Sequence, residues 1–372
     1  PAGSTILDRR IEQFFSLKTV LVRETLEKLR VRLPGERTAR WLFIPMEGER
    51  THVPVKGTSA SPEMLRAIAY DHYMKKVSMG MIHAQLKDLG MSISKGTVKN
   101  WLKKGFALLK ALLGKLKETA LEKDSVVNCD ETWCRVRRYN RYTKTYVWVL
   151  VNAKQKIVIF FYDNGFRGRK VLTDFLGDAE IRAIMSDGYN AYNFFDDKLE
   201  VDHLNCFAHA RARFHDALQK GKDETAGKFL DLIGNLYDKE RCYRENGFSP
   251  QQIYEGRQSE ETESIERELR ELLAEELKKP DEKRGYYMQR ALDYFDHFKD
   301  GLFMYRKSGE YPIDNNISER QGRPFASQRK MIQHFGSDEG AEMAACYHSI
   351  VSTVRLHGSS VWQVFGDFFE DM

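Results

Sequence analysis

Little in this 372-residue chain is arranged for sulfur chemistry. Its five cysteines, Cys129, Cys134, Cys206, Cys242 and Cys346, are odd in number, scattered, and form no C-x-x-C pair. That spacing excludes a disulfide framework and a cysteine-rich zinc knuckle, and it leads us to expect a reducing, cytoplasmic setting. No apolar run approaches the roughly 20 residues that cross a bilayer, so no membrane association is expected. The opening "PAGSTILDRRIEQFF" lacks the basic-then-apolar layout of a secretory signal. Pro1 is not an initiator methionine, so a processed chain or missing upstream residues are expected. There is no G-x-S-x-G, and Ser186 has no recognisable base partner in the sequence, which removes support for a serine nucleophile. The histidines show no ligand spacing; His203 and His209 read as packing or phosphate contacts. Net charge is also modest, with 59 Lys and Arg against 54 Asp and Glu. A balance of +5 is compatible with nucleic acid, and what matters is whether the positive charge is concentrated.

What is present is an ordinary globular composition, 42% hydrophobic and 30% charged, in a chain with room for two to four folding units. The apolar stripe from residue 6 to residue 33 predicts a helix, and the Gly- and Pro-bearing stretch 34–61 predicts loop or linker. Residues 62–104 predict three short helices. The first opens on Ser61 and Pro62, the second closes at Gly90, and the third runs from Ser94 to a stop at Gly105. The second and third, joined by a short turn, have the pattern of a helix-turn-helix. Val98, Trp101 and Leu102 would face the core, leaving Lys95, Thr97, Lys99, Asn100, Lys103 and Lys104 outward. In that motif early residues of the second helix enter the major groove and later lysines meet phosphate. A solvated lysine face on a structural helix hairpin is the competing reading.

Beyond a helical connector the chain turns β-rich. "DSVVNCDETW", "TKTYVWVLVNA" and "KIVIFFYDNG" predict three strands, "RGRKVLTDFLGD" a helix and "RAIMSDG" a fourth strand, an α/β layout. From Phe207 to Arg306 the sequence reads as helix. The expected division is therefore 1–61, an N-terminal helix and linker; 62–118, the helix-turn-helix and connector; 119–206, the first part of an α/β core; 207–306, an all-helical segment; and 307–372, the second part of the core with C-terminal helices.

Three carboxylates stand at predicted element ends. Asp130 closes the first strand, Asp187 the fourth, and Glu319 opens a helix. Each has a structural alternative: a turn start, an Asp-Gly turn, and a capping box with Asn316. Together they fit metal-assisted phosphoryl transfer, in which carboxylates hold Mg²⁺ and a DNA phosphate completes its shell. Two such ions stabilise the attacking and leaving oxygens of an in-line displacement. Arg320, Arg323, Arg329 and Lys330 follow Glu319 closely and would hold the scissile backbone.

The motifs "CDETWCRV", "SDGYNAY", "CFAHARARF" and "IDNNISERQGRP…QRK…FGSDEGAE" resemble, in order and relative spacing, the insertion-sequence-66 family of bacterial transposases. The resemblance runs from about residue 62 to the end. It implies a ribonuclease-H-like mixed-sheet core with Asp130, Asp187 and Glu319 as a DDE triad, interrupted by an all-helical insertion. It also implies two Mg²⁺ ions, replaceable by Mn²⁺, and hydrolytic nicking at element ends followed by attack of the 3′ hydroxyl on target DNA. The implied partners are DNA (terminal inverted repeats and target), a homodimer or higher assembly on that DNA, and accessory proteins of the same element, in a nucleoid-associated bacterial setting. Three features depart from the family pattern. No cysteine-rich zinc segment precedes the helix-turn-helix. The double arginine after "AH-x" reads Ala212-Arg213, leaving Arg211 and Arg213 as the expected DNA contacts. "IRP" reads Gly322-Arg323-Pro324, which predicts a short helix around Glu319. Two other functions compete: a catalytically silent DNA-binding regulator derived from a transposase, and a structure-selective nuclease on the same fold.

Overall fold

The computed structural model describes residues 22–23, 28–43, 55, 57–195, 200–280 and 284–371. At the N-terminus β1 (Lys28–Val31) pairs antiparallel with β2 (Arg40–Phe43), Lys28 opposite Phe43. Pro34-Gly35 supplies the reversal: Gly35 has φ +84°, and the Glu36 amide donates to the Leu33 carbonyl at 3.1 Å. This corrects the helix expected over 6–33 at residues 28–31 and the loop expected over 34–61 at residues 40–43; residues 44–54 and 56 of that loop lie outside the described residues. A turn signal between two short β-capable segments outweighs a helical stripe read across one of them. Residues 6–21 and 24–27 of that expected helix lie outside the described residues.

The next three helices begin where their caps predict. Ser61 accepts from the Met64 amide ahead of α1 (Pro62–Ala69), which continues as a widened turn over Tyr70–Met74. Ser78 caps α2 (Met79–Asp88), and Ser94 caps α3 (Lys95–Ala120). The third helix does not stop at Gly105. A Cβ there would strike the Tyr347 hydroxyl and sit 3.0 Å from Phe369 Cε1. The glycine therefore serves a close helix crossing, and α3 absorbs the connector expected after it.

Five strands form the main sheet: β3 (Val126–Arg138), β4 (Arg141–Asn152), β5 (Ile157–Phe161), β6 (Ala183–Ser186) and β7 (Asp202–Asn205). Their order is β5-β4-β3-β6-β7, with the first three antiparallel and β3-β6-β7 parallel. Helix α4 (Arg169–Leu176) lies between β5 and β6 in the chain. The segment after β7 is helical: α5 (Phe207–Gln219), α6 (Thr225–Glu245), α7 (Pro250–Arg257), α8 (Glu260–Lys278) and α9 (Tyr286–Phe303). Three more helices close the chain: α10 (Asn316–Ile332), α11 (Asp338–Leu356) and α12 (Val361–Glu370).

Alternation along β3 sorts the core into faces. Val127 and Cys129 face one side, with Trp148, Leu150 and residues of α4. On the other side Cys134 and Val136 pack with α1–α3 and α10–α12. On that same side β6 and β7 pack with α5, α6, α8 and α9. Two apolar clusters thus share one sheet face, and the polar residues Asn128 and Asp130 fall between them.

Candidate active site

The gap between these clusters is set by pairing lengths. β6 runs beside β3 over Val126–Asn128 only, with Asn128 opposite Met185. Continuing that parallel register by two residues puts Asp130 level with Asp187. Farther along, the same β3 edge is taken up by Phe335, whose amide donates to the Arg135 carbonyl at 2.8 Å. Between these contacts the β3 edge is free of strand pairing. Asp130 accordingly lies inside the strand rather than at its end as expected, because β3 continues into a ribbon with β4. Asp187 does follow the last residue of β6.

Asp187 is held as part of a tight turn. Its Oδ1 accepts from the Tyr189 amide at 2.9 Å, and its carbonyl accepts from the Tyr294 hydroxyl of α9 at 3.1 Å. Gly188 has φ +85°, and a Cβ there would meet Phe298 of α9 at 2.7 Å. Ser186 does have a histidine partner, which corrects the sequence reading: its Oγ lies 2.8 Å from His203 Nε2. Both residues are buried, so the pair braces the end of β6 and offers no accessible nucleophile.

Glu319 is placed by the asparagine ahead of α10. Asn315 is buried; its side-chain NH₂ donates to the Cys129 carbonyl at 2.8 Å, and its Oδ1 accepts from the side-chain Nδ2 of Asn128 at 3.0 Å. Asn315, not Asn316, is the cap position, and its side chain is spent on β3. The capping-box alternative for Glu319 therefore fails. Asp314 takes over that capping work, accepting from the Asn316 amide at 3.0 Å and from its side chain at 2.6 Å. The carboxylate of Glu319 stays 38% exposed, with His209 Nε2 of α5 at 3.9 Å. His209 belongs to the site's surroundings, and nothing in its spacing along the sequence marked it.

The helix bearing Glu319 is not short. It runs through Pro324 to Ile332. An interior proline costs about 3 kcal/mol, but buried contacts on the far side of it offset that. Phe325 packs on Phe160, Phe335 and His348, and Gln328 bonds to the His72 carbonyl and to His348 Nε2.

Negative charge gathers here. Burial pushes the Asp130 carboxyl up to about 8, reinforced by Glu131, Asp187 and Glu319 and opposed by a bond from the Glu131 amide. Glu131 points to the opposite sheet face; burial and Asp187 raise it, while the Arg167 guanidinium bonds it at 2.9 Å and the Tyr192 hydroxyl at 3.3 Å. Among the described residues, no three His, Cys, Asp or Glu side chains are gathered closely enough to hold a cation as they stand. The donor set nevertheless fits a hard divalent cation: all carboxylate oxygen, with accumulated like charge that such an ion neutralises.

The expected DNA contacts fall into separate groups. Lys95, Asn100 and Lys104 are exposed on α3, Thr97 and Lys99 half-buried, and Lys103 pairs with Glu339 at 2.5 Å. A cavity of about 630 Å³ lies along this face, lined by Thr97, Asn100, Trp101, Lys103 and Lys104 with residues 57–59. Arg320, Arg323 and Lys330 are exposed on α10, and Arg211 is exposed on α5. Two others are engaged within the protein. Arg213 lies over the Tyr294 ring at 4.4 Å, and Arg329 lies over Trp133 at 3.9 Å while donating to its carbonyl at 2.6 Å.

A family model, described as the transposase IS66 family, matches residues 57–343. The chain is also similar to uncharacterized protein y4hP of Sinorhizobium fredii, 23% identical over 374 residues, which is 90% of this chain and 65% of that protein. Uncharacterized protein y4jD of the same organism is 26% identical over 190 residues, 50% of this chain and 36% of its own length. This chain therefore spans less than two thirds of either curated relative. Among the described residues no helix is long and apolar enough to cross a membrane.

Proposed function

The chain belongs to the transposase IS66 family, and from that premise we propose that it nicks and joins DNA at Asp130, Asp187 and Glu319. The observation that supports this reading is the register and anchoring that bring three acids from distant parts of the chain toward one end of the sheet. Asp130 and Asp187 are level on adjacent strands, and Glu319 is bolted to β3 through Asn315. Their charges are close enough for both Asp187 and Glu319 to raise Asp130. The sheet order supports a ribonuclease-H-like core, and α5–α9 occupy the place of a helical insertion between the second and third acids.

Asp130, Asp187 and Glu319 would hold two Mg²⁺ ions, or Mn²⁺ in their place. When bound, these activate the attacking oxygen and stabilise the leaving one. The chain's own residues do the rest. Tyr294 and the Tyr189 amide fix Asp187, Asn315 fixes the start of α10, and Arg320 and Arg323 on that helix hold the phosphate beside Glu319. Water displaces the 3′ oxygen at the scissile phosphate, and the 3′ hydroxyl released then displaces a second 3′ oxygen in target DNA. Recognition of element ends falls to α2 and α3 as a helix-turn-helix, with Lys95, Thr97, Lys99, Asn100 and Lys104 toward DNA. A dimer, accessory proteins of the element and a cytoplasmic setting complete the proposal.

The test is nicking of a supercoiled plasmid carrying the element ends, with Mg²⁺ or Mn²⁺. Wild type should relax the plasmid, and Asp130→Asn, Asp187→Asn and Glu319→Gln should leave it supercoiled while binding the ends normally. Binding without relaxation by the wild type would put the silent regulator in its place. Nicking with no joined product from pre-cleaved ends would leave a nuclease.

A further inference from the structure

One stretch is unused by this chemistry: "TWCRVRRYNRYTKTY", residues 132–146. It holds Arg135, Arg137, Arg138, Arg141 and Lys144 and no acid, so this segment alone carries as much net charge, +5, as the whole chain. It forms the outer half of β3, the turn, and the outer half of β4. Arg138 is paired with Asp338 at 2.6 Å. Among the described residues, Arg135, Arg137, Arg141 and Lys144 have no carboxylate within ion-pair distance.

The register orders these charges. Trp133 stands opposite Tyr146, Arg135 opposite Lys144, and Arg137 opposite Tyr142. Opposed residues share a face, and alternate residues along a strand stay on it, so one face carries aromatic and basic rungs about 6.6 Å apart. Arg135 facing Lys144 is a like-charge pair, which destabilises a sheet unless a polyanion lies over it. The aromatics are partly open to solvent: Trp133 is 37% exposed with Arg329 over its ring at 3.9 Å, and Tyr142 is 61% exposed with His334 edge-on to it. Arg135 and Lys144 each lie 5.8 Å from the Trp133 ring centre. Trp133 lies about 10 Å along β3 from Asp130, on the sheet face of Glu131 and not on that of Asp130.

We propose that this ribbon face binds single-stranded DNA. Bases stack on Trp133 and Tyr142, and phosphates lie on Arg135, Arg137 and Lys144. Exposed rings on a basic sheet surface offer stacking to unpaired bases, whereas duplex bases are already stacked on one another. This binding does not rest on the DNA-cutting reading.

The experiment uses the full chain with fluorescein-labelled oligo(dT) and a blunt duplex of equal length, titrated across salt concentrations. Wild type should prefer oligo(dT). The Arg135→Ala/Arg137→Ala/Lys144→Ala variant should bind it at least tenfold more weakly, with the log–log salt slope reduced by about 2, near 0.7 per lost phosphate contact on a single strand. Oligo(dT) should quench tryptophan fluorescence in the wild type, and Trp133→Phe should remove most of that quenching while still binding. The three basic residues are exposed, so an unchanged thermal midpoint serves as the fold control. Wild-type affinity and slope in the triple variant, absence of quenching, or a preference for the duplex would each overturn the proposal. If the wild type binds oligo(dT) through the ribbon yet never nicks plasmid, the cutting reading fails and the ribbon stands. If it nicks and the triple variant binds unchanged, the ribbon alone falls.

Discussion

Asp130 is where burial and like charge meet. Its proton is held to about pH 8 in the folded chain, against an ordinary value of 3.8. Between those limits the folded state binds more protons than the unfolded state, so stability falls as pH rises. Without divalent cations, the thermal midpoint is therefore expected to decline from pH 4 to pH 8. Asp130→Asn should raise the midpoint by a few degrees at pH 8 and flatten that decline; an unchanged slope in calorimetry would place the charge cost elsewhere. Asp187 separates two roles in another way. Its Oδ1 is a turn acceptor, which Asn preserves and Ala does not. Asp187→Asn should abolish nicking with little change in urea midpoint, whereas Asp187→Ala should lose nicking and also about 1 kcal/mol of stability. At this scale the sequence was informative: acids at or near strand ends and N-cap serines are local signals. It read His209 and His203 as packing or phosphate contacts but could not name their partners, Glu319 and Ser186, which come from other elements.

At the scale of elements, sequence signals misled wherever a stop was outweighed by packing. Gly105 and Pro324 both read as terminators, and both lie inside continuous helices. The first lets α3 cross Tyr347 and Phe369, and the second is carried by the burial of Phe325 and Gln328. Strand β7 was not recognisable because three of its four residues, Asp202, His203 and Asn205, are polar; its pairing with β6 defines it. The joint between β3 and α10 has the largest expected effect. Asn315→Ala would leave the Cys129 carbonyl buried without its side-chain donor and the Asn128 side chain with only its longer bond to the Asp314 carbonyl, costing roughly 1–3 kcal/mol. It should also lower nicking more than ten-fold by releasing Glu319. A urea titration with a midpoint like the wild type's would show that the joint is replaceable.

For the whole molecule, the division at residue 118 is a division of sequence more than of core. Helices α1 and α3 pack in the same apolar cluster as α11 and α12, with Tyr73 stacked on Tyr347 at 4.2 Å. The Tyr347 hydroxyl donates to the Leu102 carbonyl of α3. Residues 62–118 expressed alone should therefore lack a cooperative thermal transition by circular dichroism, and the intact chain should not release them as a stable fragment under limited proteolysis. A sharp transition in the isolated segment would restore it as a self-standing unit. The compositional shift near residue 119 was legible, but contacts such as those of Tyr347 with Tyr73 and Leu102, which tie its two sides together, span more than two hundred positions and leave no local trace.

The fastening of Asp130 to Glu319 through Asn315 also fixes an order in time. The two acids are 189 positions apart (319 − 130). At synthesis rates of about 5–20 residues per second, roughly 10–40 s separate their emergence. During that interval the sheet can form, but one wall of the site has not been made. If the proposed cutting reading holds, a growing chain cannot cut DNA before α10 has emerged and Asn315 has docked on β3.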